Sequence, residues 1–272
     1  QFHPEVTHSE HGIEMLDNFI SICGVNRNWT MERYVEETSK KINSQVGDRN
    51  VFLLVSGGVD SSVAFMLLNQ ILGEDRVLGL HIDNGFMRKD ETSIVERFMK
   101  ESGFHNLHVV DASSKFLRVT EGVVDPEEKR RIIGEEFIRV RDRALDDLKL
   151  NPDEWLLGQG TLYTDTIESG GTDNAALIKT HHNRVGVIED LILQGKVVEP
   201  LDQLYKDEAR RLGETLGLSK QLVWRHPFPG PGLGVRVLCS NGSKSDFDSE
   251  GVEEKAREIA SQSGYRLDIL PL

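Results

Sequence analysis

The chain has 272 residues, 38% hydrophobic and 28% charged, and its 45 acidic side chains outnumber the 32 basic ones to give a formal charge of −13. That balance excludes a general nucleic-acid binder, which needs an excess of Lys and Arg to displace counterions, but leaves room for one nucleotide held by local donors. Apolar runs such as Val51–Val55 fall far short of the roughly 20 residues that span a bilayer, and the two cysteines, Cys23 and Cys239, form no CxxC pair, which points to a reducing cytoplasm without disulfide or zinc framework.

No secretory leader opens the chain, and its first residue is Gln, as expected of an excised piece. After a short polar segment, Ile13, Leu16, Phe19 and Ile20 recur at helical spacing, in a stretch too small to own a core. Thr30 then caps a helix whose stripe is Met31, Tyr34, Val35, Ile42 and Val46, with Gly47 as its stop. From there strand and helix alternate. Val51–Val55 reads as a strand buried on both faces, Ser62–Leu72 as a helix closed by Gly73, and Val77–Ile82 as a second strand. Glu91–Glu101 is a helix ended by Ser102-Gly103, and Leu107–Val110 a third strand. Asp125-Pro126-Glu127-Glu128 opens a long helix with a cap, a proline at its first position and a glutamate at its third. Its apolar side is Ile132, Ile133, Phe137, Val140 and Leu145, and Trp155–Leu157 follows as a short strand. This alternation predicts an α/β fold, a doubly wound parallel sheet with flanking helices, whose ligands sit beyond the carboxyl ends of the strands. Ser169–Ala176 has the composition of a mobile loop and Ser240–Ser249 that of a linker, with a short exposed helix over Val252–Ser261. The apolar Leu267–Leu272 reads as the first strand of something missing.

The strongest signal is Ser56-Gly57-Gly58-Val59-Asp60-Ser61-Ser62, directly after a buried strand and directly before a helix. Two glycines let main chain approach a ligand closely. Amides at the helix start, with Ser56, Ser61 and Ser62, make an anion cradle supported by the helix dipole. Asp60 conflicts with an anion unless a cation is present, and Mg2+ bridging Asp60 to a pyrophosphate removes the conflict. The loop lacks the lysine of the γ-phosphate-binding NTPase loop. The bland alternative is a tight strand–helix turn that happens to use Gly and Ser.

SGGVDSS resembles the pyrophosphate loop of the N-type ATP pyrophosphatase family, whose members cleave ATP between its α and β phosphates and whose fold is adenine nucleotide alpha hydrolase-like. The loop fixes ATP as cofactor but leaves the acceptor open. Four other segments resemble the GMP synthase family. His226–Arg236 (HPFPGPGLGVR) is similar to its signature, Lys179-Thr180-His181-His182-Asn183 to its lid motif, and Gly158-Gln159-Gly160-Thr161, continuing to Asp165, Ile167, Glu168 and Ser169, to its pocket strand and loop. His81-Ile82-Asp83-Asn84-Gly85 is similar to the end of its second strand, beside the adenosine.

The resemblance implies MgATP-dependent adenylylation of XMP, then amination by ammonia to GMP. Ser56–Ser62, Ile82 and Gly158 would bind ATP, and Asp60 would hold Mg2+. Lys179 would neutralise the departing pyrophosphate, and Thr180, His181 and His182 would hydrogen-bond phosphate oxygens. The alternative for the His pair is ordinary surface or core imidazoles. Asp165 and Glu168 would bind Mg2+ or position a lid spanning 165–183; their alternative is solvated charge. Arg130 and Arg236 are candidates for XMP, against a plain i,i+3/i+4 charge pattern around Arg130. The Pro-Gly string reads as a rigid wall.

The opening Gln1-Phe2-His3-Pro4-Glu5 resembles the end of a class I glutamine amidotransferase domain, in which His3 would be the base and Glu5 its orienter. Cys23 stands in no nucleophile context, so His3 and Glu5 are relics and this chain alone is not expected to hydrolyse glutamine. The expected division is residues 1–25 as that remnant, 28–236 as the synthetase domain, and 237–272 as a linker or insertion and the start of a C-terminal dimerisation domain. Ammonia would come from the amidotransferase domain of the same polypeptide, and a homodimer is expected only with the missing C-terminal part. Two rivals stand beside this reading: a tRNA thiolase sharing the loop, disfavoured by the lack of paired cysteines and by the negative charge, and an inert ATP- or AMP-binding module.

Overall fold

A computed structural model of the chain describes residues 3–151, 153–170, 191, 194–226, 228, 230–237 and 249–264. Five parallel strands form one sheet in the order β3-β2-β1-β4-β5. They are β1 (Asn50–Leu54), β2 (Val77–Asp83), β3 (Leu107–Asp111), β4 (Trp155–Gly158) and β5 (Val197–Val198). The order reverses between β1 and β4, so the crevice expected of a doubly wound sheet opens at the carboxyl ends of these two strands. Pairing in register sets Leu53 opposite both Gly79 and Gly158.

Helices cover both faces. Val51, Leu53 and Val55 point to a core shared with α2 (Met31–Val46), α3 (Val59–Leu72) and α8 (Lys206–Thr215). Phe52, Leu80, Ile82 and Leu157 point to the other core, with α5 (Ser113–Val119) and α6 (Pro126–Leu148). This alternation along β1, apolar on both sides, is the period-two pattern of a central parallel strand. The remaining helices among the described residues are α1 (Gly12–Ile22), α4 (Glu91–Glu101), α7 (Tyr163–Gly170), α9 (Lys220–Val223), α10 (Leu233–Arg236) and α11 (Ser249–Ser263). Among the described residues no helix is long and apolar enough to cross a membrane.

The local signals act as expected at α2 and α6. The Thr30 side chain accepts from the Arg33 N–H at 3.2 Å, and Asp125 accepts from the Glu128 N–H at 2.7 Å. Two expectations need correction. Helix α3 begins at Val59 rather than Ser62, so Asp60 and Ser61 lie in its first turn, where an acid is favoured by the helix dipole. Ser169 belongs not to a loop but to α7, which also carries Asp165 and Glu168. There the Leu162 N–H donates to Asp165 Oδ2 at 2.9 Å, which closes the first turn, and no proline intervenes. Residues 171–176, 240–248 and 267–272, and with them the expected loop, linker and final strand, lie outside the described residues, apart from Ser249, which opens the exposed helix α11.

Candidate nucleotide site

The loop between β1 and α3 is built by its own serines. Gly57 takes φ +78°, a conformation open to glycine at little cost, and Gly58 is the extended cap residue. Ser61 Oγ accepts from the Ser56 N–H at 3.2 Å and donates to the Gly58 carbonyl at 3.2 Å, while Ser56 Oγ accepts from the Gly58 N–H at 3.2 Å. The first amide of α3 with a helical acceptor is that of Ser62, which donates to Gly58 O at 3.1 Å. The amides of Val59, Asp60 and Ser61 precede it and have no helical carbonyl to serve, the usual state of a helix N-terminus that receives an anion. Gly160, just beyond β4, lies against this turn: a Cβ there would stand 3.1 Å from both Asp60 C and Ser61 N. The two sides of the switch point therefore meet at the loop.

In front of the loop lies a cavity of about 630 Å³. Ser56, Gly58, Val59 and Asp60 of the loop line it, as do the apolar side chains of Ile82, Ile133 and Phe137. Arg88, Arg130, Arg210, Arg225 and Lys206 also line it, against the carboxylates of Asp60 and Glu91. The excess of cations sits in a chain of net charge −13, so the cavity is an attractive site for polyanions on an otherwise repelling molecule.

Asp60 is engaged by Lys206, whose Nζ stands 2.6 Å from Oδ1 and 2.5 Å from Oδ2. The cation that a carboxylate beside an anion site requires is thus supplied by the chain itself, and the conflict does not of itself demand a metal. The donor set still fits Mg2+, which binds through one or two carboxylates together with substrate phosphates. Asp60 opens on the cavity next to the cradle. Among the described residues no group of three or more His, Cys, Asp or Glu side chains gathers to hold a metal by itself.

The signature string contributes His226, Phe228, Gly230 and Pro231 to the lining. Gly232 has φ +63°, and a Cβ there would collide with the Phe86 carbonyl oxygen. The Leu233 N–H donates to that same oxygen at 2.6 Å, and buried Asn84 donates to Gly230 O at 3.1 Å while accepting from the Phe86 N–H at 2.9 Å. The turn after β2 and the Pro-Gly string are therefore locked together.

Of the expected site residues, Ser56, Gly58, Val59, Asp60, Ile82 and Arg130 line the cavity. Gly57, Ser61 and Ser62 shape the loop behind them, and Ser62 is buried. Gly158 is a packing residue: a Cβ would meet Leu53, Val51 and Leu68 at 3.0–3.2 Å, so the close approach it permits is to the core and not to a ligand. His81 is buried and turned the same way, its Nδ1–H donating to Val55 O at 2.7 Å and its Nε2 lying 3.2 Å from Thr92 Oγ1. Arg130 pairs with Glu127 while facing the cavity. Arg236 does not line the cavity; its guanidinium stacks on the Phe228 ring at 4.8 Å, and Arg88 stacks on the same ring at 4.6 Å. Asp165 serves the first turn of α7 and does not line the cavity. Glu168 is on α7, but its side chain, like Lys179, Thr180, His181 and His182, lies outside the described residues.

Lys206, Arg210, Arg225, Arg88 and Glu91 escaped the sequence reading. A signal existed for the first: a lysine at the opening position of a helix opposes the helix dipole and calls for a reason. At the other end of the chain, His3 Nδ1 and Glu5 Oε1 are 2.9 Å apart on the surface, and Cys23 is exposed and free.

A family model described as NAD synthase matches residues 30–167, a span containing the loop and its flanking α/β units. A probable glutamine-hydrolysing GMP synthase of Leptospira interrogans is 50% identical over 275 aligned residues, covering 100% of this chain and 45% of the relative. A GMP synthase of Bacillus mycoides is 49% identical over 240 residues, 88% of this chain and 45% of its own length. One of Macrococcus caseolyticus is 46% identical over 273 residues, 99% and 51% respectively. The chain thus spans about half the length of the curated relatives it matches. The solved NMN synthetase of Francisella tularensis superposes with a TM-score of 0.52 over 89% of each chain at 12% identity, which establishes a shared fold. The chain belongs to the NAD synthase family of pyrophosphatase-loop proteins, and within it is similar, end to end, to the synthetase half of glutamine-hydrolysing GMP synthases, which are ligases.

Proposed function

We propose that the chain carries the synthetase chemistry of a GMP synthase: ATP adenylylates XMP, and ammonia then displaces AMP to give GMP. The carrying observation is the cavity itself, lined both by the SGGVDSS loop and by apolar side chains, in a chain half identical to GMP synthases. The purine would lie against Ile82 and the other apolar side chains, and the triphosphate would reach the loop amides and Lys206. The O2 of XMP attacks the α-phosphorus as the bond to the bridging oxygen breaks and pyrophosphate leaves. Ammonia then adds to C2 and loses a proton, and AMP departs with the former O2. Fixed cations and amides aimed at charge that develops in these steps are the main source of rate.

Mg2+, when bound with ATP at Asp60, would supply charge neutralisation on the phosphates. In this reading Lys206 holds the Asp60 carboxylate in place and lies ready to pair with a phosphate oxygen. Lys179, His181 and His182 would add donors from the segment beyond α7, Glu168 would position that segment, and Arg130 would meet the XMP phosphate. Arg236, stacked on Phe228, remains a candidate for the XMP phosphate. Residues 1–25 are read as the amidotransferase remnant, 28–236 as the synthetase domain and 237–272 as the lead into a dimerisation domain. His3 and Glu5 are then relics, ammonia comes from the amidotransferase partner domain, and the setting is the cytoplasm.

The test is to incubate the chain with MgATP, XMP and an ammonium salt and to quantify AMP and GMP. Formation of both that requires XMP is expected; AMP formed at the same rate without XMP would overturn the choice of acceptor.

A further inference from the structure

We propose that Arg225, anchored on the buried carboxylate of Glu91, is an additional pyrophosphate-binding residue of the cavity. Glu91 opens α4 and is only 4% exposed. Its Oε1 receives Arg225 Nη1 at 2.6 Å, and its Oε2 lies 3.6 Å from Arg88 Nη1. One carboxylate therefore stands against two guanidiniums, and the cluster keeps a positive charge. Arg88 is occupied further, donating to the His226 carbonyl and stacking on Phe228. Arg225 reaches the loop together with its carboxylate partner. A Cβ at Gly57 would stand 3.6 Å from Arg225 Nη2, the arm of the fork that does not bond Glu91, and 3.6 Å from Glu91 Oε1. Arg225 and Glu91 line the same cavity as Ser56 and Gly58.

A purely structural clamp between α4 and the segment after α9 is better made from apolar side chains, because burying an ion pair carries a desolvation cost that its attraction often fails to recover. A carboxylate that fixes one arm of a guanidinium and leaves the other toward an anion cradle is instead the arrangement that orients an arginine for phosphate. The proposal rests on reading the cavity as an ATP site.

The experiment measures binding of magnesium pyrophosphate and, separately, of AMP to the whole chain by calorimetry. Wild type is compared with Arg225→Met, Arg225→Lys and the double substitution Arg225→Met/Glu91→Gln. Loss of a charge-assisted contact should raise the pyrophosphate Kd about tenfold or more in Arg225→Met, with the AMP Kd changed less than about twofold and part of the loss recovered in Arg225→Lys. The double substitution leaves no stranded carboxylate; should Arg225→Met fail to fold, the same loss is expected there. Wild-type pyrophosphate affinity in folded Arg225→Met or in the folded double substitution, or equal losses for pyrophosphate and AMP, would overturn the proposal alone. A wild-type chain that binds neither ligand would overturn the ATP-site reading, and the proposal with it.

Discussion

Lys206 sits where the field of its own helix disfavours a cation, and its partner Asp60 sits where the field of α3 favours an anion. Their side chains are 42% and 30% exposed, so the pair contributes no more than about 1 kcal/mol to stability. Replacement Lys206→Met should therefore leave the unfolding midpoint nearly unchanged while weakening ATP binding about tenfold, since a charged phosphate contact is lost. Calorimetry on the variant alongside a thermal melt checks this, and a large melt shift with intact ATP affinity would make Lys206 a structural residue. Gly232 is the opposite case. With its positive φ and the Phe86 carbonyl where a Cβ would be, Gly232→Ala should cost about 2–3 kcal/mol in denaturant unfolding. The loop motif was legible letter by letter because its glycines and serines have one local use. Arg225 and Glu91 were not, because their pairing joins residues separated by 134 positions.

Among the elements, α2 is fastened to the edge of the sheet by Tyr34, whose hydroxyl donates to the Pro200 carbonyl at 2.6 Å. Burial, reinforced by the nearby carboxylates of Asp202 and Glu208 and only partly offset by Thr38, lifts this phenol from 10.0 to about 12. The folded chain thus retains the Tyr34 proton where the unfolded chain has lost it. Its contribution to stability is full below pH 10 and drains away as the pH rises through about 12. Urea titrations across that range should show falling stability in wild type and a flatter fall in Tyr34→Phe, which would also start about 1 kcal/mol lower for the lost hydrogen bond. An identical slope in both would remove Tyr34 as the cause. Helix α2 was readable because its cap, stripe and stop agree with one another. The start of α3 and the nature of α7 were misread for one reason: Gly, Ser and Asp signal a loop by composition, yet they are also the residues that begin helices.

Across the whole molecule the sheet order follows from alternation of strand and helix, but the reversal between β1 and β4 does not, since no local pattern states on which side of β1 the fourth strand pairs. That reversal creates the crevice and so decides which side chains meet. Helix α1 lies outside this architecture. Its Ile13, Phe19 and Ile22 are 79%, 64% and 84% exposed, so replacing all three by Gln should move the stability of the α/β unit by less than about 0.5 kcal/mol each. A drop of several kcal/mol in denaturant unfolding would place α1 within the core. In the proposed adenylylation the oxygen on C2 of XMP becomes bonded to the α-phosphorus of ATP. The direct measurement supplies XMP with an oxygen isotope label at C2, together with MgATP and ammonia, and follows the label by mass spectrometry. The label is expected to emerge in AMP, in step with GMP; label recovered in water or in phosphate, with unlabelled AMP, would contradict the adenylylation of XMP.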